Sequence, residues 1–146
     1  MVDTVKIERV IDAPIERVFD AFVTPEDLVR WHNAGEGWQT PYAEVDARVG
    51  GKIKIGYANP EGKVEFDFTA IFTEFDRPKR IAYRLAMEEV IADDDRLVTV
   101  DFTEVESGTK VVLELEIELI NDIELQRHGW TAHIDHLQLL LETKEG

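Results

Sequence analysis

The segment from Asn121 to Lys144 constrains this chain most, because its apolar residues recur at a helical period. At about 100° per residue, Ile123, Trp130, Ile134, Leu137 and Leu141 fall in one stripe, bordered by Leu140 and His133. Thr131, Asp135, Gln138 and Glu142 lie on the far side with His128, and Leu139 points outward. The pattern predicts an amphipathic helix of roughly 20 residues, about 30 Å long. Asn121 or Asp122 suits its start, with acidic Glu124 in the first turn, and Lys144 and Gly146 suit its end. A helix this long, with Trp130 on its dry face, needs a broad apolar partner surface.

The preceding residues supply one. Val5 and Ile7 alternate with Lys6 and Glu8 as a first strand. Asp12-Ala13-Pro14 ends it and opens a short helix, with Pro14 at the first helical position and Ile15, Val18, Phe19 and Phe22 on its dry face. Thr24 caps a second short helix that begins at Pro25 and turns Leu28 and Trp31 inward. The segment from His32 to Tyr42, with Gly35, Gly37, Trp38 and Pro41, reads as a loop.

Alternation then marks a succession of strands. Ala43, Val45, Ala47 and Val49 form one inward row, and Gly50-Gly51 a tight turn into Ile53, Ile55 and Tyr57. After the Asn59-Pro60-Glu61-Gly62 turn come Val64, Phe66, Phe68, Ala70 and Phe72, with a bulge before Phe75. Arg77-Pro78-Lys79 turns the chain into Ile81, Tyr83, Leu85 and Met87. Arg84, on the outward face, is expected to pair with an acid of a neighbouring strand. Asp93-Asp94-Asp95 is a solvated loop tip that lacks a calcium-loop pattern. Val98, Val100 and Phe102, the Ser107-Gly108 turn, and Leu113, Leu115, Ile117 and Leu119 complete the series.

The order is β-α-α, about six strands with short turns, then one long helix. Consecutive strands joined by tight turns form an antiparallel sheet. A sheet with one dry face must fold over something, and the C-terminal helix is the element long and apolar enough. The fold class is therefore α+β, with a curved antiparallel sheet of six to seven strands wrapped around that helix, in one domain spanning residues 1–146.

Bulk properties exclude several functions. The chain has no cysteine, hence no disulfide, thiolate metal site or thiol nucleophile. A net charge of −15 argues against nucleic-acid backbones and anionic membranes as partners. No apolar run approaches the roughly 20 residues of a membrane span. The start, MVDTVKIERV, lacks a signal-peptide pattern, so a cytoplasmic location is expected.

With this order in hand, several stretches resemble a known family. They are Ile11 to Phe19, Trp31-His32, Asp46 to Lys52, Phe75 to Tyr83 and His128-Gly129-Trp130. Together they are similar to the helix-grip fold of the START and Bet v 1-like superfamily, in the AHSA1-like branch related to the C-terminal domain of an Hsp90 ATPase activator. The likeness spans essentially the whole chain. It departs at Arg77, where the family has a further proline, and at His32, where it often has a second aromatic after Trp31. The resemblance implies a cavity between sheet and helix that takes lipids, polyketides or other apolar molecules, and in some members hosts cyclisation or dehydration. It carries no shared catalytic motif.

Candidate site residues follow from the inward faces. Tyr57, Phe66, Phe68, Tyr83, Phe102 and Trp130 form an aromatic set, either a pocket wall or a solid core. Trp31 and Trp38 sit near the loop that would cover one end. His32 stands at the expected mouth, His133 borders the dry stripe, and Ile134 and Leu137 line the helix wall. Trp130 is expected midway along the helix, facing Tyr83 and Phe102. His133 and His136 have a two-ligand metal spacing, but Asp135 points away and completes no site, so neither metal nor cofactor is expected. The strand acids fall on outward faces, so no catalytic residue is assigned.

Three functions compete. The first is a binding protein for an apolar small molecule. The second is a module acting on an Hsp90-type chaperone, which only the resemblance supports, and the activator's separate N-terminal domain is not expected before Val5. The third is an enzyme using the same cavity for proton transfer, with His133, Tyr57 or Tyr83 taking part.

Overall fold

The computed structural model describes residues 4–32, 39–86, 95–116 and 123–142; of residues 66, 123–126, 128 and 129 only the backbone is described. Gly35, Gly37, Trp38, Met87, Asp93, Asp94, Ile117, Leu119, Asn121, Asp122, Lys144 and Gly146 therefore lie outside the described residues, as do the side chains of Phe66, Ile123, Glu124 and His128.

Strand β1 (Thr4–Ile11) leads into helices α1 (Ile15–Ala21) and α2 (Pro25–Trp31). Six strands follow: β2 (Ala43–Val45), β3 (Lys52–Ala58), β4 (Val64–Asp76), β5 (Arg80–Leu85), β6 (Leu97–Val105) and β7 (Gly108–Glu116). Helix α3 (Ile123–Glu142) closes the order. The sheet is antiparallel, in the order β1-β7-β6-β5-β4-β3-β2, so β2 to β7 form a meander and β1 adds to β7. It is curved and open, with α3 against it.

The alternating residues fill one continuous core. Ile53, Ile55 and Tyr57, then Phe68, Ala70 and Phe72, then Ile81, Tyr83 and Leu85 are all buried on the inner face. Val98, Val100, Phe102, Leu113 and Leu115 extend it. A register shift between Phe72 and Glu74 supplies the expected bulge, which keeps Phe75 packed on the core.

Several local expectations are corrected. Pro14 is the cap residue of α1 rather than its first helical residue. Thr24 is the cap residue of α2 as expected, though it caps through its backbone: its carbonyl accepts from Asp27 N–H and Leu28 N–H, and its hydroxyl makes no cap bond. Strand β2 stops at Val45, so Ala47 and Val49 are not in a strand, and Val49 is exposed. The chain winds back there instead, with Arg48 N–H bonding Asp46 O and Gly51 N–H bonding Arg48 O. Gly50 adopts φ +83°, and a Cβ on Gly51 would lie 1.9 Å from the Asp46 carbonyl oxygen, so both glycines are required by this loop. Arg84 pairs with Asp95, at the threshold of β6, rather than with a strand acid.

Helix α3 buries His133, Ile134 and Leu137, with Trp130, Leu140 and Leu141 partly buried beside them. Leu139 points outward, as expected. The face expected to be simply wet is in part a seam. Arg9, in the inner row of β1, reaches Asp135 at 2.8 Å and Gln138 Oε1 at 2.6 Å, and Glu142 accepts the Asp12 N–H at 3.0 Å.

Candidate ligand site beneath the C-terminal helix

Four elements bring buried polar groups together. Helix α2 ends at Trp31, and His32 leaves it with φ −88° and ψ 79°, which turns the imidazole inward. Its backbone is held by N–H bonding to Leu28 O at 2.9 Å, and its carbonyl accepts from Thr40 Oγ1 at 2.9 Å. His133 comes down from α3 and stacks on the His32 ring, with centroids 4.6 Å apart and planes 27° apart. Tyr57 of β3 hydrogen-bonds His32 Nδ1 through its hydroxyl at 2.5 Å. Phe68 of β4 packs on His32 at 4.7 Å. His32 is only 3% exposed, so it is an interior group and not the mouth residue expected.

This interior sets the protonation states. Burial, followed by the neighbouring His133, holds the His32 imidazole well below its usual range, so it is neutral at neutral pH. Burial, with Tyr83 contributing, pushes the Tyr57 phenol well up, and burial alone pushes Tyr83 up. Both phenols therefore remain protonated and serve as hydrogen-bonding groups rather than bases. Among the described residues no carboxylate is buried.

Beside His32 lies a small internal void of ≈ 10 Å³. Phe22 and Leu28 wall it from α1 and α2, and Ile53, Ile55 and Phe68 from the sheet. His32 and Tyr83 are its two polar liners. Three larger depressions, of ≈ 530, ≈ 550 and ≈ 400 Å³, are open to solvent, each with several charged side chains among its liners. They lie away from the buried imidazoles, so size alone does not mark the site.

The other expected site residues divide. Trp130 packs its ring against His133, Phe68 and His32 at 5.4, 6.1 and 6.2 Å, rather than against Tyr83 and Phe102. Phe102 lies under α1, against Phe19 at 5.1 Å and Phe22 at 5.3 Å. Trp31 fastens the two short helices: its indole N–H donates to Ala21 O at 2.8 Å and its ring meets Phe22 at 4.9 Å. Ile134 and Leu137 are fully buried core. Phe66 sits opposite Tyr57 in the ladder, its side chain outside the described residues with Trp38. Phe22, Leu28, Ile53 and Ile55 were missed as liners. The last two share the inward row of Tyr57, which was the available signal.

His133 and His136 do not act as a pair on one face: His133 turns to the core and His136 lies on the flank. Among the described residues no three His, Asp or Glu side chains group around a metal position.

A curved antiparallel sheet holding one long helix, with a polar spot in the otherwise apolar space between them, defines a helix-grip protein. The chain belongs to the family described as Activator of Hsp90 ATPase homolog 1-like protein, whose model matches residues 12–142. Among solved structures it is similar to the AHSA1-like protein from Aeromonas hydrophila, at 31% identity and TM-score 0.86 over 96% of this chain and 92% of that one. A protein from Chromobacterium violaceum is 28% identical with TM-score 0.83, over 97% and 99% of the two chains. A putative uncharacterised protein from Rhizobium leguminosarum is 28% identical with TM-score 0.76, over 97% and 95%. No curated protein matches the chain. Membership fits a ligand-binding or chaperone-interacting module. Among the described residues no helix is long and apolar enough to cross a membrane.

Proposed function

We propose that this protein binds an apolar small molecule between the sheet and α3, with the His32, Tyr57 and His133 group as the polar feature of the site. The observation that carries this reading is a buried group of two stacked imidazoles and a phenol, of which His32 lines an incompletely filled space. Burying polar groups costs free energy that an aliphatic core of similar volume would not incur. Nothing in the sheet itself requires imidazoles there, whereas a site that orients a ligand does. Trp130, half in and half out of the core, is the natural wall to move when a ligand enters. Tyr83, Phe68, Ile134 and Leu137 form the remainder of the proposed pocket, with Phe102 behind Phe22 and with Trp31, Trp38 and Phe66 toward its margins.

Extraction of the purified protein with organic solvent, followed by mass spectrometry, tests the reading. A stoichiometric apolar compound is expected. Empty extracts, together with no uptake of an environment-sensitive apolar dye, would remove it.

A second reading, action on an Hsp90-type chaperone, is favoured by the family description alone. Among the described residues the exposed large apolar side chains, Val10, Val49, Val64, Ile71 and Leu139, are spread over β1, β4, α3 and the β2–β3 loop. Chaperone ATP hydrolysis measured with saturating protein decides it, and an unchanged rate counts against it.

A further inference from the structure

We infer that the void beside His32 is a socket for one uncharged oxygen atom, and that Tyr83 reads that atom by donating a hydrogen bond to it. The inference rests on the ligand-binding reading above and names the chemistry of the ligand: an apolar body carrying a neutral carbonyl, such as a ketone, aldehyde or ester.

The geometry is as follows. A void needs roughly 10–15 Å³ of space open to a water's centre, and at least two polar neighbours, to hold a single water-sized group. This one has ≈ 10 Å³ and two polar liners. Tyr83 is 4% exposed, and among the described residues its hydroxyl has no hydrogen-bond partner. A hydroxyl with no protein partner is available to bond whatever occupies the adjoining space. The Tyr83 ring is held edge-on by Phe68 and Phe72, at 6.4 and 6.1 Å, which restrains the ring. His32, the second liner, has its Nδ1 engaged by Tyr57, so its ring orientation is fixed as well.

Charge decides the class of oxygen. The phenol of Tyr83 remains protonated and is a donor, and His32 is neutral. No lining residue is cationic. A carboxylate or phosphate would enter with its charge uncompensated in a low-dielectric interior, which is strongly unfavourable. A carbonyl oxygen asks only for the donor that Tyr83 offers. The apolar body then lies along Phe68 toward Trp130, the partly buried ring of the α3 wall.

A matched pair of probes tests this. The affinities of 2-undecanone and undecane are measured for the wild-type protein and for Tyr83→Phe, which removes one oxygen and leaves the ring. The ratio of ketone to alkane affinity is expected to fall by about tenfold in the variant, the scale of one buried hydrogen bond. An unchanged ratio overturns the socket and leaves the ligand-binding reading standing. Failure of both probes to bind the wild type overturns both. A second measurement needs no variant. The carbonyl stretch of 13C-labelled 2-undecanone bound to the wild type is expected below its frequency in alkane solvent, as a donated hydrogen bond requires. A stretch at the alkane-solvent frequency overturns the assignment.

Discussion

Helix α3 is held by different physics along its two flanks. Toward β1 it is fastened by directional polar links: Arg9 to Asp135 and Gln138, and Glu142 to the Asp12 N–H. Toward α2 and β4 it rests on rings: His133 stacked on His32, Trp130 edge-on to Phe68. The first flank specifies position, because hydrogen bonds have narrow geometry. The second is held by stacking and exclusion of water, which tolerate sliding and opening. The contrast assigns the registration of this helix to the sheet edge, and under the ligand-binding proposal the stacked flank is the side expected to open. The polar groups on the β1 flank are paired near the surface, while those on the other flank are buried.

Four substitutions or conditions break or sharpen that contrast. The largest effect belongs to the residue beneath both flanks. Leu137→Ala should lose about 3 kcal/mol or more in urea denaturation, within the range for a fully buried leucine. A loss under about 1 kcal/mol would mean that α3 is not gripped as described.

Between pH 6.5 and 5 acid should act chiefly on the stacked flank. The folded-state affinity of His32 for a proton is depressed from the usual 6.5, with burial as the main cause. The unfolded chain therefore takes up this proton first as pH falls, and folding stability declines below about pH 6.5, by at most about 1.4 kcal/mol per pH unit for one group. Above that pH the group adds no pH dependence. The slope between pH 6.5 and 5 should be visibly smaller for His32→Leu than for the wild type. Equal slopes would place the acid sensitivity elsewhere.

Trp130→Ala should cost about 1–2 kcal/mol rather than the 3–5 typical of a fully buried aromatic, because its ring is only partly enclosed. It should also weaken uptake of an apolar dye. A loss above about 3 kcal/mol with uptake unchanged would make Trp130 core rather than wall.

The smallest effect is expected at the polar seam. Arg9→Ala should lose about 1 kcal/mol or less, since Asp135 is more than half exposed at 57% and such pairs are screened. Repeating the denaturation in high salt should shrink the difference further. A salt-independent loss well above that would show the seam to be the dominant restraint on α3.

Local periodicity determined a great deal. Rows such as Ile53, Ile55 and Tyr57, or Leu113 and Leu115, needed only the two-residue period of a strand to be placed inward. The stripe through Ile134 and Leu137 needed only the helical period, and the sum of these faces implied a sheet gripping one helix. What lay beyond the sequence depended on neighbours distant along the chain. Whether His32 faced solvent turned on the backbone angles where α2 ends and on Tyr57 and His133 waiting beneath it. Trp130 was correctly read as facing the sheet, but which rings it meets depends on how α3 is rotated and translated over β4, and a helical wheel carries no such information. Arg9 and Asp135, each unremarkable in its own element, become a pair only when β1 and α3 are set side by side. Polarity pattern is a property of residues a few positions apart. A site is a property of residues brought together by the fold, and only the tertiary structure decides which of them meet.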